Sequence, residues 1–288
     1  MSGLSSVAAP TFAAAVRALL AAAIAAMAAG AFAPPTGAQT AEAVDRSALR
    51  VCADPNNLPF SNEKGEGFEN RVAELLATEL GVPIRYTWFP DSVGFIRSTL
   101  NARTCDLVIG TVAGNELLQN TNPYYRSVYS IVYRSESEKA PESIDDPVLQ
   151  TASIGIVAGT PPATILAQKG LLGHLRSYPL VVDTRFDSPA RRLVHDVATG
   201  EVDVGIVWGP IAGYFAKQES PPLAVMPLRL AESHLRLDFR ITMGVRPNEP
   251  VWKRTINGLI RKKQPEITQI LLEYGVPLLD EKGEPITH

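Results

Sequence analysis

The residues with the clearest capacity for binding chemistry lie in one loop, Asp54–Phe60. Its carboxylate, two asparagine amides and phenyl ring can form hydrogen bonds and stack, but they include no activated nucleophile. The loop follows a short apolar strand that carries Leu49, Val51 and Ala53. Ligands of open α/β sheets bind outside the carboxyl ends of the strands. We therefore predict that this loop borders a binding crevice.

Sequence patterns of common enzyme sites are missing from the chain. There is no G-x-S-x-G or H-E-x-x-H motif, no Cys–His nucleophile setting and no phosphate-binding glycine loop. The four histidines, His174, His195, His234 and His288, are scattered, and no spacing suggests a metal site. His195 beside Asp196 is read more simply as an exposed helix residue. We predict no catalytic residue, no metal site and no cofactor.

The two cysteines, Cys52 and Cys105, lie in predicted strands. These strands would be sheet neighbours in a doubly wound order. In an oxidising compartment a single such pair favours a disulfide, and two buried thiols are the alternative. Neither interpretation gives the cysteines a catalytic role.

The first 43 residues have the layout of an export signal. Arg17 precedes a run of small and apolar residues at 18–33, and Pro34-Pro35 and small residues follow. A membrane anchor is the alternative, but the run is shorter than the roughly 20 residues that a membrane-spanning helix needs. We predict a signal peptide at residues 1–43, cleaved between 33 and 43, and no membrane association after its removal.

Composition excludes some classes of function. The chain has 288 residues, with 27 basic and 30 acidic side chains, so it lacks the electrostatic footprint of a nucleic-acid-binding protein. Its charges are dispersed, which gives no support to binding at a membrane surface. The length suits one large domain or two of medium size.

Alternating strands and helices must position these residues. Strands at 49–53, 82–88 and 105–109 alternate with helices, one of which is expected to start at an Asp91-Ser92 cap and to bury Val93. This order predicts a mostly parallel sheet covered on both faces. A second pattern of the same kind covers about 154–207. The overall prediction is an α/β fold of two lobes.

A strand at 240–245 and two helices separated by Pro265 end the chain, and they are too little for a third domain. If they return to the first lobe, the chain crosses between lobes twice, near 135–141 and near 232–240. Two lobes with two crossings make a hinge and an interlobe cleft. The predicted lobes are lobe one, 44–138 with 238–288, and lobe two, 139–237.

Five segments of the chain match a known pattern. They are Leu49–Phe60 (LRVCADPNNLPF), Gly67–Arg71 (GFENR), Pro123–Arg126 (PYYR), Val202–Tyr214 (VDVGIVWGPIAGY) and Tyr274–Pro277 (YGVP). Together they resemble the type II periplasmic solute-binding proteins, and within them the MxaJ/XoxJ type that accompanies PQQ-dependent methanol dehydrogenases. The first and fourth segments are long and specific, and the resemblance covers nearly all of the chain beyond residue 43.

The resemblance implies a periplasmic, two-lobed, non-enzymatic protein that aids maturation or activation of a PQQ-dependent methanol or other alcohol dehydrogenase. The dehydrogenase and its cytochrome c are the implied partners, with room for a small-molecule ligand in the cleft. The segments 159–162 and 182–189 look closer to the lanthanide-type branch. Two alternatives stay open: a receptor of an ABC importer for an uncharged or organic-acid ligand, and a cleft dehydratase of the same fold.

Amino-acid-binding members of this fold use two charged anchors. An arginine shortly after the strand that ends in Gly110 holds the ligand carboxylate, and an acid at the end of the matching lobe-two strand holds the amino group. This chain has 114–117, Gly-Asn-Glu-Leu, and Trp208 at those places. An amino acid without both anchors would be desolvated and unpaired, so amino-acid binding is disfavoured.

The residues expected to face the cleft are mostly aromatic or neutral and polar, which suits a partner's loop or an uncharged ligand. They are Asp54, Asn56, Asn57, Phe60, Thr111 and Val112 from lobe one, and Thr160, Pro161, Pro162, Trp208 and Tyr214 from lobe two. Structural roles are the alternatives for some of them. Asn56-Asn57 would form a turn, Trp208 would close the core of lobe two, and Pro161-Pro162 would start a helix.

Overall fold

A computed structural model of the chain describes residues 45–228 and 235–287. The predicted signal peptide, residues 1–43, lies outside these residues. None of the helices in the described part is long and apolar enough for a membrane crossing.

The first part of the chain alternates strands and helices as the sequence predicts. Its elements are β1 Leu49–Ala53, β2 Asn56–Asn57, β3 Ser61–Asn62, α1 Phe68–Leu80, β4 Ile84–Trp88, α2 Phe95–Ser98, β5 Leu107–Val112 and β6 Gln119–Tyr133. Strand β1 pairs in parallel with both β4 and β5. Helix α1 buries Val72 and Leu76 against this sheet and ends at Gly81, whose φ of 69° is the left-handed conformation that glycine adopts most easily.

A second α/β region follows, with one strand and one long helix after it. The elements are β7 Ile154–Val157, α3 Pro161–Gln168, β8 Leu175–Tyr178, α4 Pro189–Thr199, β9 Val204–Trp208, α5 Gly209–Ala216, β10 Ala224–Pro227, β11 Asp238–Val245, α6 Pro250–Glu273, β12 Leu278–Leu279 and β13 Pro285–Ile286. Strand β7 pairs in parallel with β8 and β9. The predicted α/β class is confirmed, with parallel and antiparallel strands in one mixed sheet.

The strand β6 joins the two regions. Its first ten positions, Gln119–Val128, pair antiparallel with β11, and its last five, Tyr129–Tyr133, pair antiparallel with β9. The sheet therefore runs β4-β1-β5-β11-β6-β9-β7-β8 without a break. The passage from the first set of strands to the second thus occurs between Val128 and Tyr129, inside a strand and ahead of the polar segment 135–141.

Each region has its own apolar core. In the first, α1 and α6 pack on β1, β5 and β11, with Phe68 and Ile256 fully buried between them. In the second, the sheet has cores on both faces, one with Ile154 and Ile206 and one with Leu193. Burial on both faces accounts for the nearly continuous apolar strands that the sequence shows there.

Two local predictions are wrong. Pro265 does not separate two helices, since α6 runs through it from Pro250 to Glu273. The apolar stripe on both sides of Pro265 faces one core, as Ile260 and Ile267 show, and this packing compensates for the hydrogen bond that proline cannot donate. The helix expected to start at Asp91-Ser92 is only the four-residue α2, and Val93 is 89% exposed rather than buried.

The predicted disulfide is confirmed. Cys52 on β1 and Cys105, just before β5, are bonded, with their Cα atoms 5.4 Å apart. Both residues are buried in a small apolar cluster with Phe95 and Leu100. The bond ties the strand that precedes the Asp54–Phe60 loop to its neighbour.

A buried ionic cluster stands at the amino end of β5. The carboxylate of Asp106 is 1% exposed and accepts hydrogen bonds from Arg50 at 2.7 and 2.6 Å and from Arg246. Arg46 lies 3.2 Å from the same carboxylate, and Glu249 bonds both Arg246 and Arg46. Burial opposes ionisation of Asp106, but the hydrogen bonds from Arg50 and Arg246 and the charge of Arg46 keep its pKa below the usual value. We call these five residues the Asp106 cluster.

Candidate functional site

Two adjoining cavities lie where the carboxyl ends of β1, β5, β7 and β9 meet. The larger has a volume of about 370 Å³ and is lined by residues of both regions, and the smaller has about 160 Å³ and is lined mostly by the first region. They share Asn57, Phe60, Asp91 and Trp208 as lining residues. This is the position that the rule for strand ends predicts.

Eight of the eleven predicted cleft residues line these cavities. The larger cavity is lined by Asn56, Asn57, Phe60, Thr160 and Trp208, and the smaller by Asp54, Asn57, Phe60, Thr111, Val112 and Trp208. The other three line neither of the two. Pro161 and Pro162 form the first turn of α3, which is the structural role considered for them. The ring of Tyr214 stacks on Tyr274 at 5.6 Å between centroids, and so joins α5 to the end of α6.

The loop after β1 is held by its own carboxylate. Asp54 is 3% exposed, and its side chain accepts hydrogen bonds from the backbone N–H of Asn56 at 2.8 Å and of Asp91 at 2.5 Å. The hydroxyl of Thr184 donates to the same carboxylate at 2.7 Å, and the amide of Asn56 donates to the Thr184 carbonyl at 3.0 Å. Asn56 therefore does more than form a turn, because these two contacts connect the two regions across the cavity.

Trp208, at the end of β9, combines the two roles considered for it. Its ring meets Tyr129 and Phe239 edge to face at 5.3 and 5.8 Å between centroids. Such aromatic contacts fix the ring where the two regions join. Trp208 also lines both cavities.

Sequence reasoning missed three acidic residues of the site, Glu69, Asp91 and Asp187. Glu69 sits in the first turn of α1 and lies over Gly110, where an added Cβ would come within 2.0 Å of its Oε1. The sequence signals that pointed to these acids were Glu69 within the GFENR segment and Asp91 after β4, which resembled a helix cap. Neither signal by itself shows that the side chain reaches the cleft.

Burial changes the ionisation of two of these carboxyls. Burial first, and then the charges of Asp91 and Asp54, raise the pKa of Glu69 from 4.5 to about 8. Burial, and then the charge of Asp54, raise the pKa of Asp91 to about 6. At neutral pH the site therefore holds a carboxyl that is largely protonated beside one that is largely ionised.

Among residues 45–228 and 235–287, the lining of the two cavities carries four carboxyl side chains and no lysine, arginine or histidine. Asp187 is paired with Arg192 at 2.6 Å, but this lining offers an anionic ligand no cation that would offset the charge of the other carboxyls. Among the described residues, no group of three or more His, Cys, Asp or Glu is arranged to hold a metal ion. The electrostatics therefore favour neutral or cationic groups over organic acids.

Large apolar side chains are exposed at the mouth of the larger cavity. Val93 is 89% exposed on one side, and on the other side Leu180 and Val181 are 56% and 63% exposed. Phe186, which is 82% exposed, lies in the chain between the lining residues Thr184 and Asp187. Val93, Leu180 and Val181 also line the larger cavity. We call these four residues the mouth patch. Apolar side chains concentrated around a cavity mouth are typical of a surface that binds a partner.

The substitution Glu69→Gln is expected to change how stability depends on pH. A carboxyl with a raised pKa takes up a proton on folding, so it favours the folded state fully at low pH and this contribution is lost as the pH rises from 4.5 to about 8. The variant should match the parent near pH 4 and be more stable at pH 9 by up to about 5 kcal/mol, or roughly 10–20 °C in Tm. Thermal unfolding across this pH range measures the difference, with the exposed Glu63→Gln as control. Parallel profiles for Glu69→Gln and the parent would contradict the assignment.

Comparison with known proteins gives consistent matches over most of the chain. The profile of the bacterial extracellular solute-binding proteins, family 3, matches residues 49–275. Protein MoxJ of Methylorubrum extorquens is 34% identical over 250 residues, which are 82% of this chain and 83% of that protein. The crystal structure of the periplasmic binding protein XoxJ from Methylobacterium extorquens AM1 has 44% identity and a TM-score of 0.69, covering 81% of this chain and 100% of XoxJ. The crystal structure of MxaJ from Methlophaga aminisulfidivorans MPT has 26% identity and a TM-score of 0.69, and the match covers 80% of this chain and 100% of MxaJ.

Proposed function

Because this chain belongs to family 3 of the bacterial extracellular solute-binding proteins, and within it to the MxaJ/XoxJ type, we propose that it is a periplasmic accessory protein of a PQQ-dependent methanol or other alcohol dehydrogenase. In this role it binds the dehydrogenase and aids its maturation or activation, without catalysing a reaction itself. Export depends on a signal peptide in residues 1–43, cleaved between 33 and 43. The cytochrome c of the same system is a further candidate partner.

The observation that carries this proposal is the mouth patch. Its four side chains are too exposed to serve the core, and they come from both sides of the cleft. An apolar surface of this kind is stabilised when a protein partner covers it. The resemblance to proteins that accompany PQQ-dependent methanol dehydrogenases names the partner.

The lanthanide-type dehydrogenase is the form that we propose for this partner. The segments 159–162 and 182–189 support it, and so does the higher identity to XoxJ, 44%, than to MxaJ, 26%. The second segment contains Thr184 and ends at the larger cavity with Ser188 and Pro189. Residues that distinguish the branches would then lie on the surface that the dehydrogenase contacts.

We propose that the two predicted lobes open and close around the cleft. They are lobe one, residues 44–138 with 238–288, and lobe two, residues 139–237. The bonds from Asp54 and Asn56 to Thr184 would hold them closed. Phe186 and Val181 would then lie on lobe two and Val93 on lobe one. A partner that touches both sides would favour the closed form, since it binds that form better.

A receptor for an importer is the second candidate, and the two cavities of about 370 and 160 Å³ favour it. No basic side chain of the described residues lines them, which argues against an organic acid as the ligand of such a receptor. The same lining argues equally against a dehydratase acting on cyclic acids, which needs a cationic anchor in the cleft. An uncharged or cationic solute is what the lining would accept.

Substitution of the mouth patch is expected to weaken binding of the dehydrogenase. In Val181→Ser/Phe186→Ser, the loss of two apolar side chains should raise the Kd by roughly tenfold or more, as exposed anchor residues do at interfaces. Val251→Ser serves as the matched control, because Val251 is also 54% exposed but lies at the start of α6. Pull-down and surface plasmon resonance with the apo and holo dehydrogenase measure the effect. Failure of the parent protein to bind either form would overturn the proposed function.

A further inference from the structure

The smaller cavity has the chemistry of a site for a positively charged group. Asp54, Glu69 and Asp91 line it, and none of the basic side chains that the structure describes does. Asp54 is occupied by hydrogen bonds from Asn56, Asp91 and Thr184. Glu69 differs from Asp54, because no donor among residues 45–228 and 235–287 bonds its carboxyl group.

A second polar group in this cavity also lacks a partner. Tyr125 is 8% exposed and lines the cavity, yet its hydroxyl has no hydrogen bond to any other residue of the described part. Glu69 lines the same cavity, and burial, followed by the charge of Glu69, raises the pKa of the Tyr125 phenol well above its usual value. A bound donor that reaches both Glu69 and Tyr125 would give each group the hydrogen-bond partner that the described residues do not supply.

The remaining walls suit an organic cation rather than a hydrated ion. The rings of Phe60 and Trp208 line the cavity, and aromatic faces attract organic cations. A volume of about 160 Å³ accepts a small alkyl group, and the chain beyond it could extend into the larger cavity. The described residues contain no cluster of His, Cys, Asp or Glu that would hold a metal ion in place of an organic cation.

We infer that the smaller cavity binds an alkylammonium group, which donates hydrogen bonds to the Glu69 carboxylate and the Tyr125 hydroxyl. The group belongs either to a free small amine or to a lysine side chain of a protein segment that occupies the larger cavity. This inference stands apart from the dehydrogenase proposal, since an amine can bind whether or not the dehydrogenase does. Amino acids with a free carboxylate remain disfavoured because the described lining of the two cavities contains no cation that would pair with it.

The ligand should bind more tightly as the pH rises. The groups that face Glu69 are Asp54, Asp91, Tyr86, Tyr124 and Tyr125, and none of them is a cation. With the pKa of Glu69 at about 8, an incoming ammonium group would have to displace the proton of this carboxyl. Affinity should therefore rise by roughly tenfold or more from pH 6 to pH 8, with release of a proton.

Isothermal titration calorimetry of the mature chain tests this inference. The ligands are methylammonium, propylammonium and Nα-acetyl-lysine N-methylamide, with propionate and propanol as size-matched anionic and neutral controls. We expect ammonium compounds to bind at pH 8 and the controls not to, with a binding enthalpy that depends on the buffer because a proton is released. Binding of the two alkylammonium ions assigns the site to free amines, and binding of the lysine derivative alone assigns it to a protein segment.

Variants separate this site from general effects on the fold. Glu69→Gln should weaken binding by about tenfold or more and remove its pH dependence, and Tyr125→Phe should weaken it by roughly threefold to tenfold. The exposed Glu63→Gln should bind as the parent does, and circular dichroism checks that each variant is folded. No binding of any ammonium compound at 10 mM, estimated as the weakest useful affinity, would overturn the inference. Equal binding of propanol, or an affinity independent of pH, would overturn it as well.

Discussion

Replacing Asp106 with asparagine is expected to lower the free energy of unfolding by about 3–5 kcal/mol, the range for breaking a buried ion pair from one side. The substitution keeps the shape of the side chain and removes its charge. Arg46 and Arg246 would then keep their bonds to Glu249, whereas Arg50 would lose the charge of the carboxylate that it bonds. Arg246 is only 4% exposed, so water cannot replace the lost partner.

Denaturant unfolding followed by circular dichroism measures this loss. The matched control is Asp145→Asn, which breaks an ion pair with Lys169 in which the aspartate side chain is 64% exposed. Exposed pairs contribute about 0–1 kcal/mol, so the control should unfold close to the parent. A loss below 1 kcal/mol for Asp106→Asn, estimated as the limit for a surface pair, would show that the cluster is not a source of stability.

Removing the disulfide is expected to cost a similar amount. The bond closes a loop with 53 residues of sequence separation, for which the chain-entropy relation gives about 4 kcal/mol. The expected result for Cys52→Ala/Cys105→Ala is therefore a fall of this size in the free energy of unfolding. The free energy of unfolding of the parent should fall by the same amount when its disulfide is reduced in the unfolded state and the protein is refolded without an oxidant.

A reducing agent provides the internal control for the disulfide. It should shift the unfolding midpoint of the parent and leave that of the double alanine variant unchanged. Because the bond anchors the strand before the Asp54–Phe60 loop, the variant should also be tested for dehydrogenase binding. An unfolding midpoint of the variant equal to that of the oxidised parent would contradict the expected stabilisation.

Much of the fold could be predicted because local rules and burial agree. Helix α1 has its apolar stripe and a glycine at its end, and the buried strands β5 and β9 are almost continuously apolar. The rules failed where tertiary packing was stronger than local preference. Pro265 is a helix breaker in isolation, yet it lies inside α6 because the residues on both sides are buried against the same core.

The site was harder to predict than the fold, because it depends on side chains that meet across long sequence distances. The loop of Asp54–Phe60 could be predicted from its place after a strand. The acidic character of the cleft could not, since Glu69 reads as an ordinary first-turn acid and Asp91 as a cap. The Glu69 carboxyl occupies space that is free because Gly110 has no side chain. The sequence does not show that these two residues lie close together.

The continuous strand β6 bears on how such proteins can be rearranged. Its residues up to Val128 belong to one hydrogen-bond ladder and those from Tyr129 to another, so no peptide segment acts purely as a linker there. A lobe transplanted from a relative would have to bring half a strand whose register fits a foreign partner. The two halves of this molecule are therefore not interchangeable modules, and recombination between relatives should preserve β6, β9 and β11 as one inherited block.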